Sequence, residues 1–211
     1  ETKVGPTPES PVTEDPPAAG ESARRGEEDE DPGEFTLLLD RVDEQQVLGA
    51  LFDASMPQEL FVSSVLQGVD GLVQNAERTS SSCLQAGDFI MSVNGVTGVD
   101  MPRELQSASQ LRLVVRRPQE FEVMVVKSGS LGCSITYDAN TGTALGVAQV
   151  LDGPIQEWNG RATQRGDYNE VVQEGDRIVA VNGKRGYTSQ LLEAIHASTD
   201  LKLRVSRPRP R

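Results

Sequence analysis

One sentence in this chain is written twice. Residues 84–96 read LQAGDFIMSVNGV, and residues 172–184 read VQEGDRIVAVNGK. The echo extends well beyond that stretch. FTLLLDRV (35–42) lies over FEVMVVKS (121–128) at an offset of 86, and VLGALF (47–52) over SLGCSI (130–135) at 83. Residues 59–77 lie over 143–161 at 84, the opening stretch recurs at 88, and LRLVVRRP (111–118) returns as LKLRVSRP (201–208) at 90. The offsets keep their order and drift by a few residues, as loop insertions cause, so the chain is a tandem duplication. A chain of 211 residues so divided holds two units of roughly 90, within the range of independently folding domains.

Each copy reads as mostly strand. The leucines of 37–39, or Val123 and Val125, suit a first strand, and Leu60, Val62 and Val65, or Val147 and Val150, a middle one. A short helix is expected over 71–77 and over 154–160, where Pro154 fits a first helical turn. In the repeated stretch Phe89, Met91 and Val93 alternate against Ile90 and Ser92, a strand pattern ended by Asn94-Gly95, and by Asn182-Gly183 in the second copy. Both pairs tolerate positive φ in a tight turn. Residues 187–198 place Leu191, Leu192 and Ile195 on one helical face, with Thr188 or Ser189 as N-cap. A period-two strand, Leu201, Leu203 and Val205, closes the unit. The expected fold class is mainly β with short helices (α+β): two partly open β-barrels capped by helices.

Residues 1–33 are different. They hold six of the twelve prolines, and ten acidic side chains against Lys3, Arg24 and Arg25, a net of −7. With almost no large apolar residue, this lead cannot offset its ordering entropy and is expected to be a disordered acidic tail, a solubilising spacer in its plainest reading. The formal charge of −12 leaves only −5 for the remainder, with no basic stripe for nucleic acid and no polybasic patch for an anionic membrane. No apolar run approaches the roughly 18 residues that span a bilayer, so no direct membrane insertion is expected. Cys83 and Cys133, far apart, read as reduced core thiols. The expected compartment is the cytoplasm, with the inner face of a membrane reached only through partners.

Both copies resemble PDZ domains. The resemblance rests on Gly87, Asp88, Ile90, Val93, Asn94 and Gly95 in one, and on Gly175, Asp176, Ile178, Val181, Asn182 and Gly183 in the other. Each set stands between a Leu-Gly-apolar loop and a terminal Arg-Pro strand, and the likeness covers residues 34–118 and 119–208, leaving 209–211 as a basic end. It implies a loop whose successive N–H groups form a nest for a peptide's terminal carboxylate, with the peptide added as a strand beside the second strand. Carried over residue by residue, Leu131, Gly132 and Cys133 supply the N–H groups of the second copy, Cys133 and Ile135 line its pocket with Ser134 between them, and Lys127 is the supporting cation. The first-copy counterparts are Leu48, Gly49, Ala50 and Leu51, with Arg41 as the cation. The helical wall of the second groove would begin at Thr188 or Ser189, with Leu192 one turn on. Family members often keep a His at that first position; none stands here, so a Ser/Thr preference at the third-last peptide residue is not implied. In the first copy the segment TGVDMPRELQSAS is two residues shorter. Asp100 is its N-cap, Pro102 sits in the first turn, and the helix has about two turns. The second groove is thus the better-formed candidate, and the first copy is open to a structural role.

The plainer readings carry most other residues. The repeated stretch itself is scaffold: Ile90, Val93, Ile178 and Val181 as core, Asp88 and Asp176 as turn caps. His196, the only histidine, ends a helix and reads as a surface residue, and with two distant cysteines it makes no zinc site. No strained nucleophile turn is written anywhere. Cys133 reads as a small hydrophobe and Trp158 as a partly exposed packing anchor. The expected function is a non-catalytic, monomeric scaffold, without cofactor, for the C-terminal tails of other proteins. Two alternatives remain open: a regulatory or substrate-presenting region of a larger serine protease, and a structural subunit with non-binding grooves.

Overall fold

The computed structural model describes residues 33–43, 45–77 and 83–210. The acidic lead and its expected disorder lie outside the described residues, Gly33 excepted. The first copy runs β1 (Glu34–Asp40), β2 (Ala50–Asp53), β3 (Leu60–Val65), α1 (Leu72–Glu77), β4 (Phe89–Val93), α2 (Met101–Ser107) and β5 (Gln110–Arg116). The second repeats that order as β6 (Pro118–Val126), β7 (Cys133–Thr136), β8 (Leu145–Val150), α3 (Pro154–Arg165), β9 (Arg177–Val181), α4 (Thr188–Ala197) and β10 (Asp200–Pro208). The described chain is therefore mainly β. It forms two antiparallel five-stranded sheets, β1-β5-β4-β3-β2 and β6-β10-β9-β8-β7, with a few short helices. Only Arg117 stands between β5 and β6, so the two units meet without a linker.

The repeated stretch is joined to the rest of its unit by the same contacts twice. The Gln85 N–H donates to Asp88 Oδ2 at 2.7 Å, and that carboxylate takes the Arg117 guanidinium at 2.7 Å. Arg117 in turn lies 4.6 Å over the Phe35 ring. In the second copy Gln173 donates to Asp176 at 2.9 Å, Arg207 pairs with Asp176 at 2.6 Å, and Arg207 lies 4.6 Å over Phe121. The Gly-Asp turn, the Arg-Pro strand and the opening Phe are thus one pin. Asn94 (φ 53°) and Asn182 (φ 51°) add a second, each accepting from the N–H of Arg112 or Lys202 on the closing strand.

Four expectations change. A bulge between Ile90 and Ser92 lets Ile90 and Val93 share the inner face, while Phe89 and Met91 turn outward; plain alternation had grouped Met91 with Val93. α3 runs to Arg165, past Gly160, because Ile155, Trp158, Asn159 and Ala162 form one buried helical stripe; Trp158 is buried, donating Nε1–H to the Glu170 carbonyl at 2.9 Å. In the middle strands the structural offset is 85 rather than 84, since Val62 donates to Asp88 and Val147 to Asp176.

That register shows what joins the units. Phe89 and Arg177 occupy equivalent positions, as do Met91 and Val179, Phe61 and Gly146, and Glu59 and Ala144. All eight lie on the outer faces of the two sheets, and there the units touch. Phe61, Phe89, Ala144 and Val179 form a buried cluster, Phe61 and Phe89 meeting edge to face at 5.3 Å. The Met56 side chain fills the space left open at Gly146. Arg177, 0% exposed, pairs with Asp53 at 3.1 Å and Glu59 at 3.3 Å and lies 4.9 Å from the Phe61 ring centre. Burial pushes the Glu59 carboxyl above its ordinary range, with Arg177 pulling the other way.

Arg177→Ala leaves two buried carboxylates without their cation, and we expect it to cost roughly 3–5 kcal/mol in urea unfolding of the whole chain. Burial also lifts Asp176 to about 6 from 3.8, outweighing Arg207 and the Gln173 N–H. The folded chain therefore keeps this proton after the unfolded chain has lost it. The Asp176 contribution to stability is largest below pH 3.8 and is lost as pH rises through 6. Stability relative to Asp176→Asn should fall between pH 4 and 7 by up to about 3 kcal/mol, read from unfolding midpoints at each pH; a flat difference would contradict the assignment.

Candidate functional site

Before each second strand, a loop hands its carbonyls to the helix that follows the third strand. Ile155, at the start of α3, donates its N–H to the Leu131 carbonyl at 3.1 Å, and Leu151 donates to Gly132 at 2.8 Å. In the first copy three consecutive carbonyls are held. Val47 accepts from Leu72 at 3.1 Å, Leu48 from Val73 at 3.0 Å, and Gly49 from Leu66 and Gln74 Nε2, both at 2.9 Å. The helix N-termini supply donors that have no partner within their own helices. A planar trans peptide points each N–H opposite to the preceding carbonyl. The N–H groups of Leu48, Gly49 and Ala50 therefore point away from Leu72, Val73 and Leu66, and those of Gly132 and Cys133 away from Ile155 and Leu151.

Glycine is required there. Gly49 (φ 81°) and Gly132 (φ 76°) adopt left-handed backbone, and a Cβ on Gly132 would stand 2.9 Å from the Gly153 Cα. A Cβ on Gly71 would stand 2.7 Å from the Gly49 Cα. Each loop is thus closed by a glycine pair, 49 with 71 and 132 with 153. A β-branched residue at 132 would force that pair apart, and so would disturb the fold along with any ligand contact.

The nest opens onto an unpaired strand edge. β2 and β7 are terminal strands, bonded on one side only. Ala50 stands opposite Val65 and Cys133 opposite Val150. The bonds from Leu66 to Gly49 and from Leu151 to Gly132 make these non-hydrogen-bonded pairs, so Ala50 and Cys133 turn their own N–H and C=O to the open edge. Beside β7, half-buried Cys133 and Ile135 and Leu192 of α4 pack against the core with one side still open. Ser134, also half-buried, lies between them. In the first copy Leu48 and Phe52 take this place, and Leu51 is exposed. Burial pushes the Cys133 thiol up to about 11, consistent with its reading as a small hydrophobe.

The other expected site residues are Arg41, Thr188, Ser189 and Lys127, and of these Arg41 is committed to another element. The Arg41 guanidinium caps α2, donating to the carbonyls of Gln106 (2.7 Å), Ala108 (3.1 Å) and Leu105 (3.2 Å), where a cation suits the helix C-terminus. α4 begins at Thr188 with Tyr187 before it, one residue earlier than a cap at Thr188 allows. Thr188 is buried: its hydroxyl donates to the Asp138 carbonyl at 3.1 Å and its N–H to the Gly142 carbonyl at 3.0 Å, tying the 138–142 turn to the helix start. Ser189 is exposed, and Lys127 is half-buried, its N–H donated to Thr199. α2 has the expected two turns, Pro102 in the first. Sequence reasoning missed Gln74, which bonds the carbonyls of both Gly49 and Leu66 and so ties loop to strand in the first copy alone.

No protein-family model and no curated protein matches the chain. Among solved structures it is similar to INAD PDZ45 in complex with NG2 peptide. The two are 19% identical, the match covers 84% of this chain and 89% of that one, and the TM-score is 0.36.

With a thiol at about 11, Cys133 is almost wholly protonated at pH 8. Its alkylation by iodoacetamide in the folded chain should run on the order of 100-fold slower than that of an unperturbed cysteine, as read by mass spectrometry of the 133 peptide. Labelling at the unperturbed rate would contradict the raised thiol.

Proposed function

We propose that the chain is a non-catalytic binding protein: two PDZ-like modules, each capturing the free C-terminal carboxylate of a partner protein and adding its tail as a strand along β2 or β7. The observation that carries this reading is the run of loop N–H groups turned away from the groups that hold the loop's carbonyls, at the head of an unpaired strand edge. An isolated carboxylate is costly to desolvate, and a nest of fixed N–H donors replaces its water. The last side chain of the tail would pack against Cys133, Ile135 and Leu192 in the second groove, and against Leu48 and Phe52 in the first.

The placement of Thr188 refines the specificity. With its hydroxyl committed to Asp138, Thr188 would not donate to the third-last residue of a tail, and Ser189, exposed beside it, is the hydroxyl that the start of α4 offers. Selection would rest mainly on the terminal apolar residue and the carboxylate. Arg41 serves its own helix, so the first nest would act through backbone N–H groups alone.

Calorimetric titration of the full chain with a randomised pool of C-terminal peptides, as free acids and as C-terminal amides, tests this directly. Losing a charge-assisted bond to the nest should weaken the amides by about 10- to 100-fold. Equal binding of acid and amide would overturn the carboxylate-capture reading.

A further inference from the structure

The interface fixes more than stability. Resting on the carboxylate-capture reading, we infer that the preferred ligand is a pair of C-terminal tails leaving one partner side by side, as they do from a dimeric protein. Four observations lead there.

First, the grooves cannot swing freely. One residue separates β5 from β6, the Arg117 N–H donates to Gly33, and the Arg209 N–H donates to Arg117, so the junction is clamped on both sides. Arg177, Asp53 and Glu59, all buried, hold the outer sheet faces together. Second, the far ends of the two edge strands converge. Asp53 ends β2 and is bound to Arg177 of the other unit. Two residues on, the Ser55 carbonyl accepts from the hydroxyl of Thr136, which ends β7, at 3.5 Å.

Third, the direction of a bound tail follows from chemistry. The carboxylate is the last group of the tail, and each nest lies at the start of its edge strand. A tail therefore runs antiparallel to β2 or β7, and its upstream end emerges at Asp53 or Thr136. Fourth, the second groove is closed just beyond that point, since Thr188 ties the 138–142 turn to the start of α4. A tail there must leave the groove close to Thr136, where Ser55 stands. The two exits thus lie within about a strand length of each other, roughly 10–15 Å. A partner with two adjacent C-termini fits this geometry, and filling one groove raises the local concentration of the second tail at the other.

The test uses the full chain and the tightest free-acid peptide from the randomised pool, in three forms. These are the single peptide, two copies joined at their N-termini by a short Gly-Ser bridge, and the same pair with one tail amidated. The joined pair should bind one protein chain with an affinity at least about tenfold above the single peptide, and amidating one arm should remove the gain. Calorimetry reads the affinity and light scattering the stoichiometry. A joined pair no tighter than the single peptide, or one that bridges two protein chains, overturns the inference while leaving single-tail capture intact. Failure of every single free-acid tail to bind overturns the underlying reading, and the inference with it.

Discussion

A guanidinium with no exposure, held between two carboxylates of the other unit, is the contact on which the arrangement of this molecule depends. Stripping three charges of water is expensive, and such a cluster adds little net stability over a well-packed apolar one. What it fixes is pairing. Arg177 satisfies Asp53 and Glu59 only in one placement of the sheets, and any slip leaves ionised groups buried without partners. The aromatic and aliphatic contacts of Phe61, Phe89, Met56 and Val179 then supply the non-directional part of the attraction.

The interface also has an internal logic that the duplication explains. The same patch of both units is used, as in a two-fold symmetric dimer. Its chemistry has become complementary: a large residue faces a small one, Phe61 or Met56 against Ala144 and Gly146, and acid faces base, Glu59 and Asp53 against Arg177. Unlike partners on equivalent positions disfavour pairing of either patch with its own copy. The grooves inherit their mutual orientation from this choice, because β2 and β7 end where the patches meet.

Much of each unit was legible in the sequence, since the informative residues act locally. The Gly-Asp turn, the Asn-Gly turn, the Leu-Gly loop and the order of strands and helices are written in short words whose backbone requirements are specific. The repeat added an internal control, and the Asp88–Arg117 and Asp176–Arg207 pins show why those words recur together. What escaped was the chemistry between the units. Alternation groups Phe89 with Val93, and only the bulge beside Met91 turns Phe89 outward; nothing near Arg177 in sequence points to Asp53 and Glu59, 124 and 118 residues away. The same holds for Arg41 and Thr188, whose partners lie 64 to 67 and 50 residues away. Local pattern gives the elements; it does not reveal which polar groups are already satisfied by a distant carbonyl.

The central claim is that two modules, written as near copies, form one rigid body with two grooves in fixed relation. Backbone amide relaxation of the full chain measures this most directly, because a locked tandem tumbles as a single particle. Amides of β4 and β9 should report one shared rotational correlation time, the value appropriate to both units moving together. Two distinct and shorter times, one for each unit, would contradict it.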